Sequence, residues 1–220
     1  MVQGATTAGT ARRRNPSASR AALLSAARVE FAQKGLAGAR VDEIAGRAGV
    51  NKQLVYHYFG DKDALYLAVL EMLYEEIRSH ESRLNLAGLD PEEGMRKLIE
   101  YSFDHLGAHP DFAALLNDEN RWQASHVQTS AKLPEMHSPL VKMIDEMLRR
   151  GVEKGVFRVG VDPMQLYISI AALGYFYFSN CGTLSAIFRK SLSSPRAVRE
   201  RRRHVVDLVL HGLRANQPDG

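Results

Sequence analysis

The chain has 220 residues, 45% hydrophobic and 25% charged, with one cysteine and a formal net charge of +4. This length allows one medium domain or two small ones, while a lone cysteine excludes a disulfide framework and thiolate zinc sites and fits a reducing cytoplasm. No run reaches the roughly 18 apolar residues of a membrane-spanning helix, and no apolar segment follows the N-terminal arginines as in a secretory signal. We therefore expect a soluble cytoplasmic protein that does not insert into a membrane.

Basic residues are concentrated near the N-terminus. Residues 1–60 contain nine lysines and arginines against three acidic residues, whereas residues 61–220 contain 20 and 22. This distribution suggests an anionic partner for the first part of the chain, either nucleic acid or a membrane surface. A basic tail that is merely solvated, without an anionic partner, explains the same distribution of charge.

The first 16 residues are predicted to form a disordered basic arm, because Gly, Ala, Thr and Arg dominate them. The arginine triplet Arg12, Arg13 and Arg14 allows this arm to lie along DNA phosphates or to enter a neighbouring minor groove. Non-specific attraction to a polyanion is the simpler explanation of the triplet.

Hydrophobic residues follow a helical period in nearly all of the remaining chain, and no alternating strand pattern or internal repeat occurs. Capping residues, glycines and prolines divide this part into about nine helical segments. The predicted segments are 17–35, 41–48, 51–59, 62–86, 90–109, 111–127, 138–154, 162–181 and 195–215. Residues 128–137 are expected to form a loop. The predicted fold class is all-α, with a three-helix N-terminal helix-turn-helix domain and a larger helical domain behind it.

Two short helices joined by a glycine turn, 41–48 and 51–59, are typical of a helix-turn-helix. At 100° per residue, the second helix has an inward face of Leu54, Val55 and Tyr58. Its polar face consists of Lys52, Gln53, Tyr56 and His57. Gln pairs bidentately with adenine, Lys reaches guanine or phosphate, and Tyr and His suit phosphate oxygens. A small helical corner whose polar face meets only water fits the same spacing.

The run from Val41 to Phe59 and its continuation to Leu65 resemble the DNA-binding domain of the TetR family of transcriptional regulators. The matching elements are Ile-Ala-x-x-Ala-Gly-Val, the Tyr-x-Tyr-Phe ending and the following Lys-x-x-Leu, all in register over roughly residues 17–77. Asn51 replaces the commoner Ser or Thr cap and keeps the capping chemistry. Leu54 stands where the family often has Thr or Ser, and its place on the inward face makes it a core residue here.

The resemblance implies which residues meet double-stranded operator DNA. Lys52, Gln53, Tyr56 and His57 face the DNA. The N-terminus of the helix that begins at Val41, with Arg40, meets a phosphate, and so does Lys62 at the start of the next helix.

The larger domain has no strong motif, but the resemblance implies a small-molecule effector bound among its helices. Glu119 and His126 are ionisable groups in an otherwise apolar stripe, and Trp122, the only tryptophan, lies between them. Burial without a partner is costly for such groups, which points to a ligand site. An internal Glu119–His126 pair, or a helix break that exposes one of the two, explains the stripe without a ligand.

Three further side chains, Tyr101, His105 and Tyr175, are candidate ligand contacts. His105 lies four residues before His109, with Tyr101 on the same side of the helix, and this spacing fits the edge of a pocket. The same spacing can hold a metal, but no third ligand is identifiable, so we predict neither a metal nor a cofactor. Tyr175 belongs to an aromatic run in segment 162–181 that exceeds the need of one buried stripe.

The last two segments are apolar on two sides, which favours burial against both the chain's own core and a second subunit. The candidate residues of this homodimer interface are Tyr177, Phe178, Val205 and Val209. A thicker core within one chain is the alternative.

These features predict a ligand-responsive DNA-binding regulator, in particular a dimeric repressor of a palindromic operator. The predicted domains are 17–77 for DNA binding and 78–215 for ligand binding and dimerisation, between the arm (1–16) and a disordered tail (216–220). A transcriptional activator and a ligand-independent DNA binder are the alternatives. An enzyme that uses Glu119 and His126 is a remote one, because no nucleophile–base pair or phosphate-binding loop is present.

Overall fold

The structure, a computed structural model, describes residues 16–215 and contains ten α-helices and no β-strand in that range. The helices are α1 (Pro16–Gly38), α2 (Val41–Ala48), α3 (Gln53–Phe59), α4 (Lys62–Arg83), α5 (Pro91–Ala108), α6 (Pro110–Arg121), α7 (Lys132–Glu153), α8 (Pro163–Ser179), α9 (Cys181–Phe188) and α10 (Pro195–Leu213). The all-α prediction is confirmed. Within the same range, no helix is both long and apolar enough to cross a membrane.

Two predicted boundaries in the second half of the chain are wrong, and one helix was not predicted. Helix α6 ends at Arg121 rather than near residue 127, and α7 begins at Lys132, inside the predicted loop 128–137. Pro139 lies within α7. Because proline is disfavoured inside a helix and tolerated in its first turn, the sequence predicted that the helix begins near Pro139 rather than at Lys132. A tenth helix, α9, lies in the stretch between the predicted segments 162–181 and 195–215, to which the sequence assigned no element.

The helix starts follow the capping residues. Asp61 accepts a hydrogen bond from the Ala64 amide at the start of α4 (2.7 Å), and Asp162 accepts one from the Gln165 amide at the start of α8 (2.8 Å). Pro163 occupies the first turn of α8, where its missing N–H has no cost. Capping residues and prolines of this kind are the signals that divided the sequence into helical segments.

Two hydrophobic clusters organise the described residues. The first joins α1, α2, α3 and α4 with part of α6, around buried side chains such as Phe31, Ile44 and Tyr66. The second joins α5, α7, α8 and α10, around Met95, Ile144 and others. We refer to α1–α3 with the first turns of α4 as the head, and to the remaining helices as the body.

The head contacts the body through α1 and α6 as well as through the continuous helix α4. Arg28 on α1 pairs with Glu76 on α4 (2.8 Å) and with Asp111 on α6. Asp118 on α6 accepts a hydrogen bond from the Leu36 amide (2.7 Å). It also packs against Gly35, where φ is +66° and where a Cβ would lie 2.8 Å from the carboxylate. The end of α1 is therefore held by a body residue.

Candidate nucleic-acid interface and ligand cavity

The helix-turn-helix is formed by α2, α3 and the turn between them. Gly49 ends α2 in the left-handed conformation (φ 63°, ψ 34°), which glycine adopts without steric cost. The Asn51 carboxamide then accepts a hydrogen bond from the Gln53 amide (2.9 Å). Val55 is fully buried, and Leu54 and Tyr58 pack against the head core. The inward face predicted from the helical wheel is confirmed.

The opposite side of α3 is exposed. Lys52, Gln53, Tyr56 and His57 are all exposed, and Tyr56 is 52% exposed. Arg40 is exposed directly before α2, and Val41 is half-buried at its first position. The predicted DNA-facing residues therefore share one accessible surface around α3 and the start of α2.

Several basic side chains of this surface are engaged in ion pairs. Lys52 pairs with Asp42 (3.2 Å), and both side chains are more than half exposed. Glu30 is fully buried on α1 and pairs with Lys34 (2.6 Å) and, more loosely, with Arg47 (3.6 Å). The Glu30–Arg47 pair joins α1 and α2, and the three pairs together reduce the positive charge that the surface offers to a phosphate.

Lys62 makes contacts that the sequence alone did not indicate. Its ammonium group donates hydrogen bonds to the backbone carbonyls of Leu36 (2.8 Å) and Ala39 (3.3 Å). Both carbonyls lie at the end of α1, where the helix leaves carbonyl groups without intrahelical donors. Lys62 thus links α4 to α1, and the phosphate contact implied by the resemblance remains a proposal.

The arm residues Arg12, Arg13 and Arg14 lie outside the residues that the structure describes.

A cavity of about 300 Å³ lies between α4, α5, α6 and α8. Its walls are largely aromatic, and the aromatic side chains are Tyr74, Tyr101, Phe112, Tyr167 and Tyr175. Tyr74 packs edge-on against Phe112, with 5.5 Å between ring centroids. The Tyr175 hydroxyl donates to the Asn117 side-chain oxygen (2.5 Å), which fixes that ring at the edge of the cavity.

Two charged side chains of α4 also line the cavity. Arg78 and Glu81 have 11% and 5% of their side chains exposed, and Arg78 Nη1 lies 2.9 Å from Glu81 Oε2. The Arg78 guanidinium lies over the Tyr167 ring, 5.6 Å from its centroid. Burial raises the pKa of Glu81 to about 7, although the charge of Arg78 opposes this shift.

The cavity contains three of the six predicted ligand residues. Tyr101, His105 and Tyr175 line it, and the Tyr101 hydroxyl lies 3.3 Å from His105 Nδ1. Burial, with a smaller contribution from the neighbouring His109, lowers the pKa of His105 to about 4, so its ring is neutral at neutral pH.

Glu119, Trp122 and His126 do not line this cavity, which corrects the sequence prediction. The chain turns back after α6 through Gln123 and Ala124, whose φ values are +56° and +59°. Glu119 then accepts hydrogen bonds from the His126 amide (2.9 Å) and from His126 Nδ1 (2.8 Å). The internal Glu119–His126 pair, considered as the alternative, is the arrangement observed, and Trp122 is 44% exposed outside it.

The same turn bears on the enzyme alternative. Glu119 is only 2% exposed and also accepts a hydrogen bond from the Val127 amide (3.0 Å). The His126 ring packs edge-on against the buried Tyr66, with 5.1 Å between centroids. Both ionisable groups are therefore engaged in holding the turn.

The predicted dimer residues face the chain's own core. Tyr177, Val205 and Val209 are 6%, 1% and 8% exposed, and Phe178 is half-buried between the two hydrophobic clusters. The sequence pattern gave two apolar sides for these segments without indicating which one faced inward. The large apolar side chains that are exposed on α8, α9 and α10 are Met164, Ile168, Phe176, Ile187, Phe188 and Leu208.

The sequence interpretation missed Arg78 and Glu81. A usable signal was present, because both follow the helical spacing of Leu70, Tyr74 and Ile77 and so place two charges on an otherwise apolar stripe of α4. Attention to the last helix turns before residue 86, rather than to the isolated tryptophan, would have identified them.

Comparison with known proteins follows the same division of the chain. Residues 23–69 match the family described as bacterial regulatory proteins, tetR family, and residues 91–209 match the tetracyclin repressor-like C-terminal domain. The chain is 34% identical over 192 residues to the HTH-type transcriptional repressor NicS of Pseudomonas putida, covering 87% of this chain and 91% of NicS. It is 32% identical over 164 residues to the transcriptional repressor SCO4008 of Streptomyces coelicolor, covering 73% and 78%.

Solved structures show the same fold. The transcriptional regulator SCO4942 from Streptomyces coelicolor aligns with a TM-score of 0.66 at 27% identity, covering 89% of this chain and 98% of that one. FadR from Bacillus subtilis, solved with stearoyl-CoA, aligns with a TM-score of 0.64 at 16% identity, covering 88% and 98%. The second likeness concerns the fold alone.

Proposed function

Since this chain belongs to the TetR family and is a DNA-binding transcriptional regulator, we propose that it is a dimeric repressor that a small-molecule effector releases from a palindromic operator. One observation carries the proposal: two helices contact both the head and the cavity. Helix α4 runs from Lys62 in the head to Glu81 in the cavity, and α6 places Leu116 on the cavity and Asp118 against the head.

In the proposed complex, α3 enters the major groove. Gln53 reads a base edge, Lys52 reaches guanine or phosphate, and Tyr56 and His57 contact phosphates. Arg40 and the first turn of α2 at Val41 meet a backbone phosphate. The exposure of all these residues on one surface supports this arrangement.

We propose that the dimer forms through the exposed apolar side chains of α8 and α10 rather than through the residues first predicted. Met164 and Ile168 are four residues apart on α8, and Phe176 follows eight residues later, so the three side chains fall within a sector of about 120° of the helix. Leu208 on α10 borders the same shallow recess as Leu173 of α8. In the proposed complex, a two-fold axis at this face relates two copies of α3 that bind successive major grooves of a palindromic site, which requires a spacing of about 34–36 Å, one turn of DNA.

The proposed domains are residues 17–77 for DNA binding and residues 78–215 for effector binding and dimerisation. Release follows if the effector binds better to a form in which α6 or α4 is displaced. The hydrogen bond between the Leu36 amide and Asp118 is then altered, and the spacing between the two heads changes with it. A coupling of about 1–3 kcal/mol between the two sites is typical for such regulators.

Salt-titrated DNA binding tests the proposal. Sites are first identified by genomic footprinting, and the affinity for a footprinted duplex and for a random one is measured by fluorescence anisotropy. Gln53→Ala should reduce the preference for the footprinted duplex by about tenfold or more, because a bidentate base contact contributes about 1–3 kcal/mol of discrimination. An equal loss on both duplexes would count against base reading by Gln53. Absence of any preference in the unmodified protein would count against the operator itself.

A further inference from the structure

Two tyrosine hydroxyls on the cavity wall are available for hydrogen bonding. Within residues 16–215, the hydroxyls of Tyr74 and Tyr167 form no hydrogen bond, and neither oxygen is among the fully buried polar atoms, so each retains accessible surface. The Tyr175 hydroxyl, by contrast, already donates to Asn117 (2.5 Å). Because the Tyr74 and Tyr167 side chains both line the cavity, we infer that their hydroxyls can bind a molecule inside it.

These two tyrosines belong to the same part of the wall, although they come from α4 and α8. Both rings pack edge-on against His137, with 5.1 Å between centroids for Tyr74 and 6.3 Å for Tyr167. Burial raises the pKa of Tyr74 to about 12, and the neighbouring phenols of Tyr167 and Tyr175 contribute to this rise. Tyr74 is therefore a protonated donor at neutral pH, close to a second phenol.

The accessible part of the wall offers no uncompensated charge to a ligand. Arg78 and Glu81 pair with each other (2.9 Å), and their side chains are only 11% and 5% exposed. The pKa of His105 is lowered to about 4 by burial, so its ring is neutral at neutral pH. An ion that enters such a cavity loses its hydration without gaining an opposite charge. These conditions favour an uncharged ligand.

The walls also limit the shape of the ligand. Aromatic side chains enclose the cavity from α4 (Tyr74), α5 (Tyr101), α6 (Phe112) and α8 (Tyr167). A volume of about 300 Å³ is at the small end of ligand sites. It fits a flat molecule of one or two rings that packs against aromatic side chains.

We propose that the effector is an uncharged compound of one or two rings with a ring hydroxyl or carbonyl oxygen, which the hydroxyls of Tyr74 and Tyr167 bind. This inference rests on the proposed function, in which the cavity holds the effector. A tyrosine hydroxyl both donates and accepts, so either oxygen substituent satisfies it. A hydrocarbon of the same shape displaces water from both hydroxyls and leaves them without a partner.

Calorimetric titration with four matched probes tests the ligand class. The probes are 2-naphthol, 2-methylnaphthalene, 2-naphthoate and 2-naphthylmethylammonium, which share a two-ring skeleton and differ in one substituent. The protein is titrated into each probe at about pH 8, where Glu81 is ionised and a phenol, which titrates near pH 10, is uncharged. We expect 2-naphthol to bind about tenfold more tightly than 2-methylnaphthalene, because only its hydroxyl forms hydrogen bonds, and more tightly than either charged probe.

A double variant assigns this preference to the two tyrosines. Tyr74→Phe with Tyr167→Phe removes both hydroxyls and keeps both rings, so the aromatic walls remain. This variant should bind 2-naphthol and 2-methylnaphthalene equally. The matched control, Tyr58→Phe with Tyr177→Phe, removes two hydroxyls from tyrosines that do not line the cavity and should keep the preference.

Three results would overturn the ligand class: equal binding of 2-naphthol and 2-methylnaphthalene by the unmodified protein, tighter binding of a charged probe, or no binding of any probe. A preference that survives in the cavity double variant would overturn the assignment to Tyr74 and Tyr167. DNA affinity is measured separately by anisotropy without a probe. Absence of specific DNA binding contradicts the proposed function and leaves the calorimetric comparison intact.

Discussion

The head and the cavity use their charged side chains in opposite ways. Of the six basic residues between positions 16 and 60, Arg28, Lys34, Arg47 and Lys52 form ion pairs within the chain. In the cavity, by contrast, Arg78 and Glu81 form an ion pair whose side chains are only 11% and 5% exposed. The basic side chains of the head's pairs thus remain partly exposed to solvent, whereas both members of the pair on the cavity wall are almost completely desolvated.

This contrast shows that a net charge counted from the sequence overstates the charge available for binding. A phosphate that reaches Lys52 must compete with Asp42, and exposed pairs of this kind contribute little stability by themselves. One head is therefore expected to bind DNA weakly. Two heads held at the spacing of an operator gain affinity through their effective concentration.

The largest expected effect follows from separating the two heads. Phe176→Arg places a charge in the proposed dimer face, where Phe176 is 58% exposed. We expect monomers in analytical ultracentrifugation and operator affinity lower by about 1,000-fold, within the usual range for loss of bivalency. Val159→Arg is the matched control, since Val159 is an exposed apolar residue in the turn before α8. A dimeric Phe176→Arg variant would contradict the assignment of this face.

The second prediction concerns the pH dependence of stability in the cavity. The pKa of Glu81 is about 7 in the folded chain against 4.5 ordinarily, so the folded state binds more protons in this window. The free energy of unfolding therefore falls as pH rises from about 4.5 to 7. For His105, with a pKa of about 4 against 6.5, the folded state binds fewer protons and the free energy of unfolding rises over about pH 4 to 6.5.

The contributions of Glu81 and His105 to the pH dependence of the free energy of unfolding have opposite signs. Glu81→Gln removes the contribution that falls as pH rises. The free energy of unfolding of this variant, relative to the unmodified chain, should rise by about 2–3 kcal/mol from pH 4.5 to 7, whatever its absolute stability. Urea denaturation at several pH values measures this difference. Glu75→Gln, at an exposed position of the same helix, should give no such rise. A flat difference for Glu81→Gln would mean that Glu81 titrates normally.

The two regions also differ in how much could be predicted from the sequence. The head has local signals: a glycine turn, a capping Asn51 and alternating inward and outward faces on α3. The site in the body depends on contacts between helices that are distant in sequence. Glu119 and His126 fit one helical stripe, but the left-handed residues after Arg121 end that helix and turn them into an internal pair. Which apolar side of α10 is buried depends likewise on the packing of α5 and α8.

Lys62 is marked by a local sequence signal, but its contacts are with residues distant in sequence. It gives the third prediction. Its capping partners, the carbonyls of Leu36 and Ala39, lie 26 and 23 residues earlier in the chain. Lys62→Met should lower the free energy of unfolding by about 1–2 kcal/mol, because it removes charged hydrogen bonds to part-buried carbonyls. Lys52→Met, at an exposed position, should leave it unchanged. If the stability of the Lys62 variant is unaltered while its DNA affinity falls, Lys62 acts only on phosphate.

The smallest effect tests whether the head's ion pairs restrain DNA binding. Asp42→Asn removes the carboxylate that holds Lys52 (3.2 Å) and leaves Lys52 available to a phosphate. Affinity should rise about twofold to threefold for specific and random duplexes alike, since phosphate contacts carry no sequence information. The slope of log affinity against log salt should steepen by about 1, because one more counterion is displaced. Asp63→Asn, an exposed acidic residue in the first turn of α4, controls for the change in net charge. An equal gain from both substitutions would assign the effect to net charge and show that the Lys52–Asp42 pair does not limit binding.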